Sequence, residues 1–165
     1  TLDRSSAASD VYKRQDADFA KMREIIGLAK EFGALTYLDE VHAVGMYGKY
    51  GSGLAEQFSL TDEVDIIQGT LGKAIGCIGG YITASSLLVD MLRCHAPGFI
   101  FTTALPPALV AGAQESIKIL RSPEGEALRK KHQENVHRVK QALQAKALPV
   151  LYNPCLLYTS PSPRD

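Results

Sequence analysis

"VDIIQGTLGKAIGCIGGYITAS", residues 64–85, decides how the chain is to be read. Residues 64–70 form a short apolar run without alternation, as expected of a buried strand covered on both faces. A turn follows in which one lysine, Lys73, stands among Gly69, Gly72 and Gly76, and residues 76–85 read as a second, glycine-rich strand. Upstream, "ALTYLD" (34–39) is a further short apolar run that ends in Asp39 and leads through Glu40 and Val41 to His42. In open parallel sheets, side chains at the carboxyl ends of strands face the ligand crevice. The two strand ends are therefore expected to bring a carboxylate, an imidazole and an amine to one small volume.

The rest of the chain alternates helix and strand signals. From Asp16 to Phe32, the apolar residues Phe19, Met22, Ile25, Ile26, Ala29 and Phe32 fall at helical spacing, and Gly33 is a natural stop. "GMYGKYGSG" (45–53) carries the turn positions of a loop, and "SSLLVDMLRCH" (85–95) predicts a helix capped by Ser85 or Ser86. "GFIFTTAL" (98–105) predicts a fourth strand. Pro106 and Pro107 open a helix that stops at Ser122-Pro123, Glu124 to Ala145 a charged one, and "LPVLYN" (148–153) begins another strand. The predicted class is α/β with a mainly parallel sheet, the long polar helix leading into a second, smaller domain.

The two ends do not read like the middle. "SSAASDVYKRQ" (5–15) back-translates to a sequence containing GATGTGTATAAGAGACA, and "CLLYTSPSPRD" (155–165) to one containing TGTCTCTTATACACATC. These are reverse complements, which unrelated termini have no reason to encode. Residues 1–15 and 155–165 are expected to be translated adaptors of a sequencing library, non-native to the protein. Residues 16–122 are then expected to form the C-terminal half of a large domain, and 123–154 the connecting helix and start of a small one.

The whole chain has 18 basic and 18 acidic residues, and the segment 16–154 has 14 and 15. That balance gives no electrostatic case for nucleic acid or an anionic membrane. No apolar run approaches the roughly 20 residues needed to span a bilayer. With Cys155 set aside, Cys77 and Cys94 lack the spacing of a zinc site or disulfide framework. No metal is expected.

Lys73 invites comparison with a phosphate-binding loop, which requires G-x-x-x-x-G-K followed by Ser or Thr. Here Ala74 follows the lysine, Ile67 stands where the first glycine should be, and the acidic strand precedes the loop instead of following it. Three mismatches set that reading aside. An amine, a carboxylate and an imidazole together instead suit pyridoxal 5'-phosphate: the lysine holds the cofactor aldehyde and the carboxylate keeps the pyridine nitrogen protonated.

"LDEVHAVGMYGKYGSG" (38–53), "DIIQGTLGKAIGCIGGYI" (65–82), "GFIFTTALPP" (98–107) and "EGEALRKKHQENVHRVKQAL" (124–143) closely resemble the α-oxoamine synthases, fold-type I pyridoxal phosphate enzymes. The resemblance covers essentially all of residues 16–154. It is greatest to the branch that condenses glycine with succinyl-coenzyme A; other branches, or a non-catalytic subunit lacking the lysine, are the alternatives. It implies that Lys73 is the cofactor-holding and proton-moving lysine, that Asp39 pairs with the pyridinium nitrogen, and that Val41 lies against a ring face. His42 would contact the ring hydroxyl and Thr70 the cofactor phosphate. Thr102 and Thr103 would reach the phosphate of a second subunit, implying a homodimer with a shared site. The family's upstream glycine-rich turn and stacking aromatic, and its downstream substrate-binding arginine, would lie outside these residues, so the chain alone is expected not to catalyse. Animal-type relatives imply the mitochondrial matrix, bacterial ones the cytoplasm.

Overall fold

The computed structural model describes residues 19–148 and Cys155. Three strands form one sheet in the order β1 (Tyr37–Asp39), β2 (Ile66–Thr70), β3 (Gly80–Ala84). β1 and β2 are parallel, with Asp39 opposite Gln68, so both carboxyl ends lie on one edge. Parallel pairing needs a long crossover, and residues 40–65 supply it. β3 runs antiparallel to β2, with Thr70 opposite Gly80 and Gly69 opposite Tyr81. Residues 71–79, the link between these two, are too few for a parallel crossover of a dozen or more, so the chain must double back.

Helices make up most of the remainder: α1 (Met22–Glu31), α2 (Leu54–Gln57), α3 (Ser86–His95), α4 (Pro97–Ile100), α5 (Pro107–Arg121) and α6 (Pro123–Ala145). Ser85 caps α3 as expected, its hydroxyl accepting from the Leu88 N–H at 3.4 Å. Ser122 separates α5 from α6, and its hydroxyl donates to the Ile119 carbonyl at 2.7 Å. Among the described residues no helix is long and apolar enough to cross a membrane. Arg23–Arg129 form one compact unit; the described residues on either side belong to a second.

The expected fourth strand is not formed. Pro97 starts the short helix α4, and Phe99, Ile100 and Phe101 are exposed. Aromatic and β-branched residues favour a strand only where a sheet face receives them; Pro97 here presets a helical first turn instead. The strand predicted at 148–153 and the helical residues predicted at 16–18 fall almost wholly outside the described residues.

The start of the parallel pair is latched by side chains. The Asp65 carboxylate accepts from the Thr36 N–H at 2.7 Å and hydroxyl at 2.8 Å, and the Thr36 hydroxyl accepts from the Asp65 N–H at 3.0 Å. These bonds hold the Asp65 carboxyl below its ordinary pKa. The core beneath the other end consists of Val44, Leu71, Ile75 and Ala113, flanked by Cys77, Tyr81, Leu105 and Leu120.

Candidate active site

The β2–β3 turn is built so that its lysine is the part that faces out. Leu71 and Ile75 are buried in the core, and Gly72, Lys73 and Ala74 between them are exposed. Each buried aliphatic side chain contributes about 1.5–3 kcal/mol, which fixes the turn on both sides of Lys73. Backbone bonds close it: Leu71 N–H to the Gly79 carbonyl at 2.9 Å, Cys77 N–H to Leu71 at 2.7 Å, and Gly76 N–H to Lys73 at 3.1 Å. Gly76 and Gly79 take φ of +74° and +123°, a region side chains rarely enter.

Thr70 sits at the mouth of this turn. Its hydroxyl accepts from the Gly72 N–H at 3.1 Å and donates to the Gly79 carbonyl at 3.3 Å. The Nζ of Lys73 lies 3.1 Å from Nε2 of His42, which follows the end of β1. Asp39 closes β1 on the same edge of the sheet; its Oδ1 accepts from the Val41 N–H at 2.8 Å. The structure thus gathers Asp39, Val41, His42, Thr70 and Lys73 at neighbouring strand ends. Thr102 and Thr103 lie in the exposed segment after α4, whose continuation is rooted by Leu105 in the core.

Three charged residues missing from the sequence reading hold the loop beside this edge. Glu40 is almost fully buried (1 % exposed), and its carboxylate accepts from the N–H groups of Leu54 at 3.0 Å and Ala55 at 2.7 Å. Burial pushes its carboxyl above the ordinary range, the two N–H bonds oppose this, and nearby Asp39 adds to it. Glu56 accepts from the Tyr50 and Ser52 N–H groups, each at 2.9 Å. Arg129, 6 % exposed, donates to the Leu120 carbonyl at 2.7 Å and to the Lys49 carbonyl. Sequence offered one signal for the loop's rigidity, its glycine spacing; nothing local to Arg129 distinguishes it from its basic neighbours.

The loop then meets the lysine turn. Gly45 has φ of +85°, and a Cβ there would come within 2.2 Å of the Ala74 Cβ. Tyr81 lies over Gly69, where a Cβ would come within 2.2 Å of its ring. The Tyr81 phenol is raised above its ordinary pKa by burial and by the charge of Glu40.

The donor set fits pyridoxal phosphate: an exposed amine without flanking bulk, an imidazole in contact with it, and a carboxylate on the same edge with one oxygen bound to backbone. A family model described as "Aminotransferase class I and II" matches residues 15–162. The chain is 50% identical over 147 residues to a Bos taurus "5-aminolevulinate synthase, non-specific, mitochondrial", covering 89% of this chain and 23% of that protein. It is 47% identical over 148 residues to the Homo sapiens erythroid-specific mitochondrial enzyme, covering 90% of this chain and 25% of the relative. The chain therefore spans about a quarter of the length of these relatives. Among solved structures, a Sphingomonas wittichii serine palmitoyltransferase superposes with TM-score 0.76 at 30% identity, covering 82% of this chain and 33% of that one. An 8-amino-7-oxononanoate synthase from Francisella tularensis gives 0.63 at 29% identity, covering 75% and 37%.

Proposed function

The chain belongs to the class I and II aminotransferase family, and from that membership we propose that it is the lysine-bearing part of a 5-aminolevulinate synthase, a pyridoxal 5'-phosphate-dependent α-oxoamine synthase. The reaction is condensation of glycine with succinyl-coenzyme A, releasing coenzyme A and carbon dioxide and forming 5-aminolevulinate, the precursor of haem. One observation carries the reading: the amine of Lys73 contacts His42 at 3.1 Å on the sheet edge where Asp39 also ends a strand.

When bound, the cofactor supplies an electron sink for a substrate carbanion. Lys73 would hold its aldehyde carbon and supply the amine that takes the α-proton of glycine. Asp39, one oxygen of which accepts from the Val41 N–H at 2.8 Å, would keep a proton on the pyridine nitrogen. Val41 would lie against a ring face, His42 would orient the ring hydroxyl, and Thr70 would bind the phosphate. Thr102 and Thr103 would bind the phosphate held by a second copy, in a homodimer with a shared site. Residues 16–122 are the C-terminal half of the cofactor-binding domain and 123–154 lead into a smaller one. The mitochondrial matrix is the proposed location, supported by the mitochondrial relatives.

The similarity to serine palmitoyltransferase and 8-amino-7-oxononanoate synthase structures keeps one second reading: the same machinery with another amino acid or acyl-coenzyme A. Product analysis with glycine, alanine and serine against succinyl-, acetyl- and longer acyl-coenzyme A donors, on the complete gene, separates the two. 5-Aminolevulinate from glycine and succinyl-coenzyme A alone supports the first.

A further inference from the structure

Arg129 stands far from the lysine turn in sequence, yet its guanidinium is buried between two segments that converge on that turn. One nitrogen donates to the Lys49 carbonyl, in the middle of the 45–53 loop, and another to the Leu120 carbonyl at 2.7 Å, near the end of α5. Both segments then run to the lysine. From Lys49, the loop closes on itself through the Gly45 N–H to the Gly51 carbonyl at 2.8 Å, and Gly45 lies flat against Ala74, next to Lys73. From Leu120, the side chain packs on the cluster that contains Ile75, two residues beyond Lys73.

We propose that Arg129 is a positioning residue for Lys73, acting as a two-armed clamp that sets the lysine turn against His42. An arginine suits the task because its planar fork presents several N–H donors in a fixed geometry, whereas a lysine offers a single point of attachment. The clamp engages two backbone carbonyls, groups that cannot be lost by substitution, and its fit is close: a Cβ on Gly51 would sit 3.0 Å from an Arg129 terminal nitrogen. The inference deepens the cofactor reading in one respect only, that the amine being positioned is the one that holds the aldehyde.

The test uses the full chain with two substitutions that attack the clamp from opposite sides. Arg129→Lys keeps the charge and loses the second arm. Gly51→Ala keeps the arginine and crowds it, with added strain because Gly51 has φ of +78°. Asp65→Ala is the control, since it breaks the Thr36 latch at the far end of the sheet and touches neither arm. The first readout needs no cofactor: carbethoxylation of His42 by diethyl pyrocarbonate, followed by mass spectrometry, is slow while Nε2 is engaged by Lys73. Both clamp variants are expected to accelerate it about 5- to 10-fold, and Asp65→Ala to leave it unchanged although it also destabilises the fold. The second readout is borohydride trapping of pyridoxal phosphate on Lys73, whose half-saturating concentration is expected to rise about 10-fold in both clamp variants. Unchanged His42 labelling in Arg129→Lys and Gly51→Ala, or equal acceleration in Asp65→Ala, overturns the clamp. Failure of the unsubstituted product of the complete gene to trap cofactor at Lys73 overturns the cofactor reading instead, and His42 labelling still decides the clamp.

Discussion

Lys73 Nζ and His42 Nε2 lie 3.1 Å apart although the residues that carry them belong to different strand ends. Across that gap one nitrogen donates and the other offers its lone pair. Substitution of Lys73 by alanine is expected to abolish both borohydride-trapped pyridoxal phosphate and the visible absorbance of the lysine-bound cofactor. Substitution of His42 by alanine should leave attachment possible while lowering turnover of the complete enzyme about 100-fold, the order of loss when a reacting group is misplaced. Cofactor absorbance that survives Lys73→Ala would remove the lysine from its role.

Glu40 satisfies two backbone N–H groups in a setting almost closed to water. Glu40→Ala leaves both without a partner, at about 1–3 kcal/mol each. Equilibrium denaturation should show a loss of about 3 kcal/mol, and Glu40→Gln, which keeps one acceptor oxygen, a smaller one. Equal losses in the two variants would mean that the carboxylate bonds are not what stabilises the loop.

Two glycines should respond to alanine with opposite signs. Gly27 lies within α1 with open space around its missing Cβ, so Gly27→Ala should stabilise by about 0.5–1 kcal/mol. Gly45→Ala must place a methyl 2.2 Å from the Ala74 Cβ at φ of +85°. It should cost at least ~2 kcal/mol, as over-packing alone costs about 1–3. Thermal melts of the pair, side by side, are the measurement; a neutral Gly45→Ala would contradict the close packing of loop on turn.

Asp65 gives the fold an acid limb. Its carboxyl is held below the ordinary value by the Thr36 bonds, so the folded state binds its proton less readily than the unfolded chain. Its stabilisation is therefore full above the ordinary aspartate range, about pH 4, and is lost as pH falls through the lowered value. Asp65→Asn should flatten stability between about pH 2 and pH 5 relative to the unsubstituted chain and change its pH dependence little near neutrality. A steeper acid limb in the variant would reverse the assignment.

Much of this arrangement was legible in the residues alone. The apolar runs ending at Asp39 and Thr70 are strands, Ser85 caps its helix, and Ser122-Pro123 divides two helices, because each signal is local and its chemistry acts within a few residues. The antiparallel turn of β3 was also within reach, since nine intervening residues cannot carry a parallel crossover. Residues 98–105 misled because their β-like composition says what a sheet would accept, not whether one is there. Arg129 and Glu40 were illegible for a different reason. Both bind backbone carbonyls or N–H groups in distant segments, and such partners leave no side-chain pattern to read.

The side chain of Lys73 takes no part in closing its turn: Leu71, Ile75 and Thr70 do the holding, and the amine projects from a scaffold that does not depend on it. Reactivity and shape are thereby assigned to separate side chains. One codon could therefore remove the amine and leave the turn that carries it folded as before.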